Sequence, residues 1–206
     1  MEGKVKQIIP RVHELYHRYG IKSVTMDDVS RHLGISKKTL YEFFTNKEDL
    51  VKQVMTWDYD RKLTFFLEIE QKKLNAVEEL FEVYKMIKEM FRDFKPSVEY
   101  DIRKYYPTLF AQLREIKRKR MFELSMKNMS KGKQEGLYRS DLNASILARL
   151  HVFRVENIIE SELFSVEELT SIKVFHEIFV YYLNGILSAE GREILDSSYK
   201  KFSRPA

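Results

Sequence analysis

Lys37, Lys38 and Thr39 follow one another directly after Ser36, and Tyr41 comes two residues later. In the first turn of a helix, two long ammonium side chains and a threonine suit the edges of base pairs. Lysine can hydrogen-bond guanine O6 and N7, and threonine can meet a polar edge or a thymine methyl. Thr25, Ser36, Tyr41 and Lys47 are better suited to phosphate oxygens, contacts that set register without reading sequence. Together these seven residues point to double-stranded DNA read in its major groove. Each lysine taken singly reads more simply as a solvated surface residue; the whole arrangement does not.

Such side chains work only if a short helix presents its first turn to the groove. The surrounding residues supply that helix and its supports. Thr25 caps a helix carrying Met26, Val29 and Leu33 on one side, and Asp28 completes a capping box three residues later. Gly34 marks a sharp reversal that needs positive φ or close backbone approach. Ser36 caps a second short helix from Lys37 to Phe44, with Leu40 and Phe43 or Phe44 turned inward. Asn46 caps a third, with Glu48 and Asp49 in its first turn, where carboxylates suit the positive helix end. Two short helices joined at a glycine turn form a helix-turn-helix.

Residues from about Val5 to Val54 resemble the N-terminal domain of the TetR family of transcriptional regulators. Tyr19-Gly20 and Ser23-Val24-Thr25-Met26-Asp27-Asp28-Val29 carry the resemblance first. Leu33-Gly34-Ile35-Ser36-Lys37, Thr39-Leu40-Tyr41, Phe44 and Asn46-Lys47-Glu48-Asp49-Leu50 continue it, over about a quarter of the chain. The resemblance implies DNA contacts from Thr25, Ser36, Lys37, Lys38, Thr39, Tyr41 and Lys47. Lys38 departs from the pattern, since the family often has a small residue there, and this bears on the preferred base sequence. The resemblance also implies a helical ligand-binding and dimerisation domain behind the head, and repression as the regulatory outcome.

Charge agrees with a nucleic-acid partner at one end. Residues 1–56 hold ten Lys or Arg against seven acids, so this quarter supplies most of the chain's net +5. Other chemistries fare poorly. There is no cysteine, hence neither disulfides nor a thiolate metal site. Of the five histidines, His13, His17, His32, His151 and His176, only His13 and His17 stand at helical i,i+4 spacing, with no HExxH pattern or carboxylate set beside them. No phosphate-cradling glycine loop and no nucleophile elbow is present. The expectation is a protein that is not an enzyme, with no metal and no cofactor. The N-terminal MEGKVKQIIPRVHELY is broken by charges, unlike a signal peptide, and no apolar run reaches membrane-spanning length. A cytoplasmic location without membrane attachment is expected.

Helical periodicity continues along the chain, which predicts an all-α fold of about nine to ten helices. The expected division is a helix-turn-helix domain over 1–50 and a helical ligand-binding and dimerisation domain over 51–206. The first helix buries Val5, Ile8, Ile9, Val12, Leu15, Tyr16 and Tyr19, its regular part beginning near Pro10. The helix opening at Asn46 runs towards Lys73 as a lever between the domains. Asn75 caps a helix with an aromatic stripe including Phe81, Tyr84 and Phe91. Pro107 starts a long helix to about Gln134, whose run Arg114, Lys117, Arg118, Lys119 and Arg120 reads as a solvated face. Asn143 or Asp141 caps a helix to about Leu163. A capping box at Ser165 opens a last long apolar segment, Leu169–Leu187, which needs cover on more than one side.

These features predict a homodimer paired through the last two long helices and binding palindromic DNA. Two recognition helices related by a twofold axis read half-sites about 34–36 Å apart or a multiple of that. Trp57, Phe66, Tyr84, Phe91, Tyr105 and Phe110 are candidate walls of a pocket for a small-molecule effector, although core packing is the simpler account of each. His151 and Arg154 share a helix face and could orient a polar or anionic ligand, or pair with Glu156 or a partner-subunit acid. The resulting expectation is a ligand-released TetR-like repressor. The alternative is an architectural or protein-recruiting DNA-binding factor with no small-molecule inducer.

Overall fold

The computed structural model of the chain describes residues 2–92, 96–160, 163–169 and 171–202. These residues form helices α1 (Glu2–Tyr19), α2 (Met26–Leu33), α3 (Lys37–Phe43), α4 (Lys47–Gln71), α5 (Ala76–Arg92) and α6 (Pro96–Tyr105). They continue with α7 (Pro107–Gln134), α8 (Ala144–Glu160), the single turn α9 (Val166–Leu169), α10 (Ile172–Ile186) and α11 (Ala189–Phe202). The fold is all-α: the only β-type pairing among the described residues is an isolated antiparallel bridge between Tyr138 and Leu187.

The chain divides into two compact units, Met1–Phe65 with Lys95–Ile116, and Phe66–Phe94 with Lys117–Ala206. The first unit thus continues past residue 50 and takes in α6 and the start of α7. Its core joins Val12 and Tyr16 of α1, Val29 of α2, Leu40 of α3, and Leu50, Val51 and Val54 of α4, with Phe44 between α3 and α4. Val98 and Ile102 of α6 and Leu109 of α7 complete the cluster. The second unit packs Val77 and Phe81 of α5, Met129 of α7, Leu183 and Ile186 of α10 and Leu195 of α11 around Leu137 and Tyr138.

A polar knot closes the second core. The buried Tyr138 hydroxyl donates to the Asn128 side-chain oxygen at 2.7 Å and lies 3.0 Å from the Ala76 carbonyl. Asn128 donates to that same carbonyl and to Glu79, and Lys131 pairs with Glu79 at 2.6 Å. Each group that α5 and α7 remove from water here has a partner, which burial requires.

Two local expectations are corrected. The first helix does not begin at Pro10 but runs through it from Glu2. Proline's missing N–H leaves the Lys6 carbonyl without its helical donor, and the exposed position of Lys6 lets water take that place. The segment expected over Leu169–Leu187 is broken. Its capping box is present, with Glu168 N–H donating to Ser165 Oγ and Ser165 N–H to the Glu168 carboxylate, yet it opens only the turn α9. Ser171 then starts α10 afresh, its N–H donating to the Glu168 carbonyl. A further helix, α11, follows Ser188, whose Oγ accepts from Gly191 N–H in its first turn.

Candidate nucleic-acid interface

The head's helix ends are built as the residues require. Thr25 Oγ1 accepts from Asp28 N–H at 3.1 Å, and the Asp28 carboxylate accepts from Thr25 N–H at 2.9 Å, the reciprocal bonds of a capping box. Those bonds hold the Asp28 carboxyl below the usual carboxylate range. Gly34 closes α2 in the left-handed region at φ 71°, its N–H reaching the Arg31 and Ser30 carbonyls, and the chain turns directly into α3. Ser36 Oγ accepts from Thr39 N–H at 3.0 Å. Asn46 caps α4 through a 2.9 Å bond from Asp49 N–H. From the α1 side, the Arg11 guanidinium donates to the His32 carbonyl at 2.7 Å, where the negative end of α2 favours a cation.

Only Leu40 of α3 is fully buried, so the other side of this short helix is free to face a ligand. Lys37, Lys38 and Tyr41 are exposed there, with Ser36 just before them, and Thr39 is half-buried. Lys38 makes no hydrogen bond or ion pair among the described residues. Lys37 does: its ammonium lies 2.9 Å from Asp27 of α2, which raises its pKa. Sequence reasoning missed that partner, since nothing in the local spacing brings Asp27 to Lys37. The Lys47 ammonium donates to the Lys22 carbonyl at 3.2 Å. Burial pulls its pKa down, while Asp101 and Asp28 push it back up. Thr25, with its hydroxyl committed to the capping box, is exposed at the start of α2. All seven expected DNA-contact residues therefore lie in one compact unit, on α2, α3 and α4 or immediately before them.

Residues 11–54 match the model of the tetR family of bacterial regulatory proteins. The similarity to that family lies in the head alone. An HTH-type transcriptional regulator of Staphylococcus aureus (strain USA300) is 34% identical over 58 residues, which is 28% of this chain and 31% of that protein. The match thus spans about a third of the length of the curated relatives. Solved structures reproduce the fold of nearly the whole chain. A transcriptional regulator from Cytophaga hutchinsonii superposes with a TM-score of 0.77 at 19% identity, covering 90% of this chain and 100% of that one. A TetR-family regulator from Agrobacterium tumefaciens gives 0.68 at 16% identity over 91% and 99%.

The residues expected to line a pocket divide between the two units. Trp57, Tyr105 and Phe110 belong to the first. Trp57 packs edge-on to His13 and lies under Arg61, Phe110 packs on the head's core, and Tyr105 is exposed beneath the Lys22 ammonium. Phe66, Tyr84, His151 and Arg154 belong to the second; the Phe91 side chain lies outside the described residues. In the second unit Tyr84 of α5 stacks on Phe175 and Phe179 of α10, with ring centroids 5.1 and 4.7 Å away, and its hydroxyl lies 3.0 Å from His176 Nδ1.

Two helical turns after Phe175 on α10, Tyr182 lies under the Arg154 guanidinium at 5.0 Å, and His151 Nδ1 is 3.1 Å from an Arg154 nitrogen. Arg154 has no carboxylate partner among the described residues. Glu156 is not that partner, as sequence reasoning allowed; it takes a bidentate pair from Arg118 at 2.9–3.1 Å. Residues 154 and 156 stand about 200° apart around α8, so they serve different neighbours. Phe175, Phe179 and Tyr182 join these groups without having been expected there, although they stand at i, i+4, i+7 on one apolar face.

His13 and His17 lie together at 4.1 Å between ring centroids, and His13 Nε2 is 3.1 Å from the Asp58 carboxylate. That carboxylate also holds Arg61 and Lys62. Among the described residues no three His, Asp or Glu side chains converge as a metal would need, and no helix is long and apolar enough to cross a membrane.

Proposed function

We propose that the chain is a TetR-type transcriptional repressor that binds palindromic operator DNA as a homodimer and is released by a small-molecule effector. The observation that carries the reading is the exposed face of α3. A two-turn helix anchored by one buried leucine presents Lys37, Lys38 and Tyr41 outward, with Lys38 unpaired among the described residues. In this reading Lys38 meets a base edge, while Thr25, Ser36, Tyr41 and Lys47 meet phosphates.

Pairing of two copies is supported by a bare apolar row on α8. Ile146, Leu150 and Phe153 are each more than half exposed, and Tyr181 of α10 is 80% exposed. A row at i, i+4, i+7 left uncovered is what a partner helix packs against. A Cβ added at Gly185 on α10 would meet nothing within 4 Å, which leaves room there for close approach. Effector binding is supported by the aromatic face of α10 with Arg154 at one end, a cation without a carboxylate partner among the described residues. Release then requires the effector to prefer a body conformation that misplaces the heads, typically by about 1–3 kcal/mol.

The test is selection. Purified protein is incubated with sheared genomic DNA at physiological salt, and the retained fragments are sequenced. Sharp enrichment of one inverted repeat supports a site-specific dimer, and broad, salt-sensitive retention without a motif overturns it. On the selected site, Lys38→Ala is expected to change base preference by about 1–3 kcal/mol at the position it reads.

A further inference from the structure

The turn between α1 and α2 is held from outside the head. Lys22 N–H donates to the Asp101 carboxylate of α6 at 2.8 Å, across 79 positions of sequence. Asp101 is only 8% exposed, so the bond is made by a buried charge. On the other side of the same residue, the Lys22 carbonyl accepts from the Lys47 ammonium at 3.2 Å. The Lys22 side chain adds a third tether, its ammonium 4.8 Å above the Tyr105 ring, one helical turn beyond Asp101. Gly20 completes the fit: at φ +80° it lies where an added Cβ would stand 3.1 Å from the Asp101 carboxylate oxygen. Lys22 is therefore clamped by α6 at its N–H and by α4 at its carbonyl. All of these groups belong to one compact unit.

We propose that Asp101 is a positioning residue for DNA binding: by fixing the Lys22 backbone it fixes the carbonyl that aims Lys47 at a phosphate. This rests on the reading of the head as a DNA binder. An ammonium has three N–H donors and no shape of its own, so its direction comes from the acceptors around it. The Lys22 carbonyl takes one donor and leaves two for the duplex. Removing Asp101 lets the turn and its carbonyl drift, and Lys47 loses its aim while keeping its charge. A hydrogen bond to a charged group is among the stronger ones in a protein, so the turn stands to lose much of its order.

The experiment is a double-mutant cycle on the full chain, read as affinity for the selected operator at several salt concentrations. Asp101→Ala is expected to bind roughly tenfold more weakly. Its salt slope should be shallower by about one phosphate contact, as for Lys47→Ala. The double variant should bind no worse than Lys47→Ala alone. Asp101→Asn, which keeps a carbonyl oxygen for Lys22 N–H, should recover most of the loss. Losses that add, or a salt slope unchanged in Asp101→Ala, overturn the proposal. If Asp101→Ala loses the wild-type circular dichroism or melting, Gly20→Ala presses on the same contact from the other side, and an unchanged slope in that variant overturns the proposal equally. Wild-type protein that retains no DNA would instead remove the reading of the head itself.

Discussion

Acid should weaken the body through His151. Its ring is largely buried, with Nδ1 3.1 Å from an Arg154 nitrogen and its centroid 5.4 Å from the Tyr182 ring. Burial first, and the Arg154 charge second, hold its pKa down to about 4 from an ordinary 6.5. In the unfolded chain the ordinary value returns. Between pH 6.5 and 4 the unfolded state therefore binds a proton that the folded state refuses, and stability falls as pH falls through that window. The whole gap corresponds to about 3 kcal/mol. Part of the ring edge still meets solvent, so a change of about 2 kcal/mol is expected. The assay is urea unfolding followed by circular dichroism at about pH 7 and about pH 4.5, for wild type and His151→Gln. Carboxylates that titrate in the same window act on both proteins and cancel in the difference. Wild type should lose about 2 kcal/mol more than the variant on acidification. Equal losses would refute the argument. Arg154→Gln offers a cross-check, since removing the neighbouring cation should let the His151 pKa rise and shrink the effect.

Leu40→Ala removes the one fully buried side chain of α3 and should cost about 3 kcal/mol in urea unfolding. Operator binding should fall with it, and a midpoint near wild type would mean that α3 is held by other means. Tyr138→Phe deletes the hydroxyl that reaches Asn128 and Ala76, and should cost about 1–3 kcal/mol in the same assay. Leu150→Glu combined with Phe153→Glu puts two charges on the bare row of α8. Sedimentation should then show monomers that bind operator poorly, and an unchanged dimer would place the interface elsewhere. Lys47→Ala should weaken binding to specific and scrambled duplexes alike and flatten the salt dependence; a selective loss on the operator would give it a base-reading role instead.

The head was legible because its signals are local. A capping residue, a carboxylate three positions on and a glycine at the reversal each act within one turn, so Thr25, Asp28, Gly34, Ser36 and Asn46 announced their bonds in the sequence. Errors arose where tertiary surroundings decide. Pro10 reads as a helix start, yet solvent at the Lys6 carbonyl lets α1 run through it. The apolar run near Leu169 reads as one helix, because a box at Ser165 does not reveal that its helix will last a single turn. Partners distant in sequence were invisible: nothing in the periodicity joins Asp101 to Lys22 or Arg118 to Glu156. The aromatic stripe of α5 was visible, but not the choice of Phe175 and Phe179 as the rings that meet Tyr84.

The ion pair between Lys37 and Asp27 bears on how such a head would move along a genome. On random duplex a lysine contributes attraction wherever it lands, and that attraction slows sliding. If α3 meets DNA as proposed, the duplex first draws the ammonium away from a carboxylate that then stays behind, close to the phosphates and repelled by them. Unspecific DNA therefore gains less from Lys37 than from a solitary lysine. A site offering a well-placed acceptor for that ammonium gains enough to make the exchange. In the proposed reading, the acid beside α3 trades a little grip for speed of search.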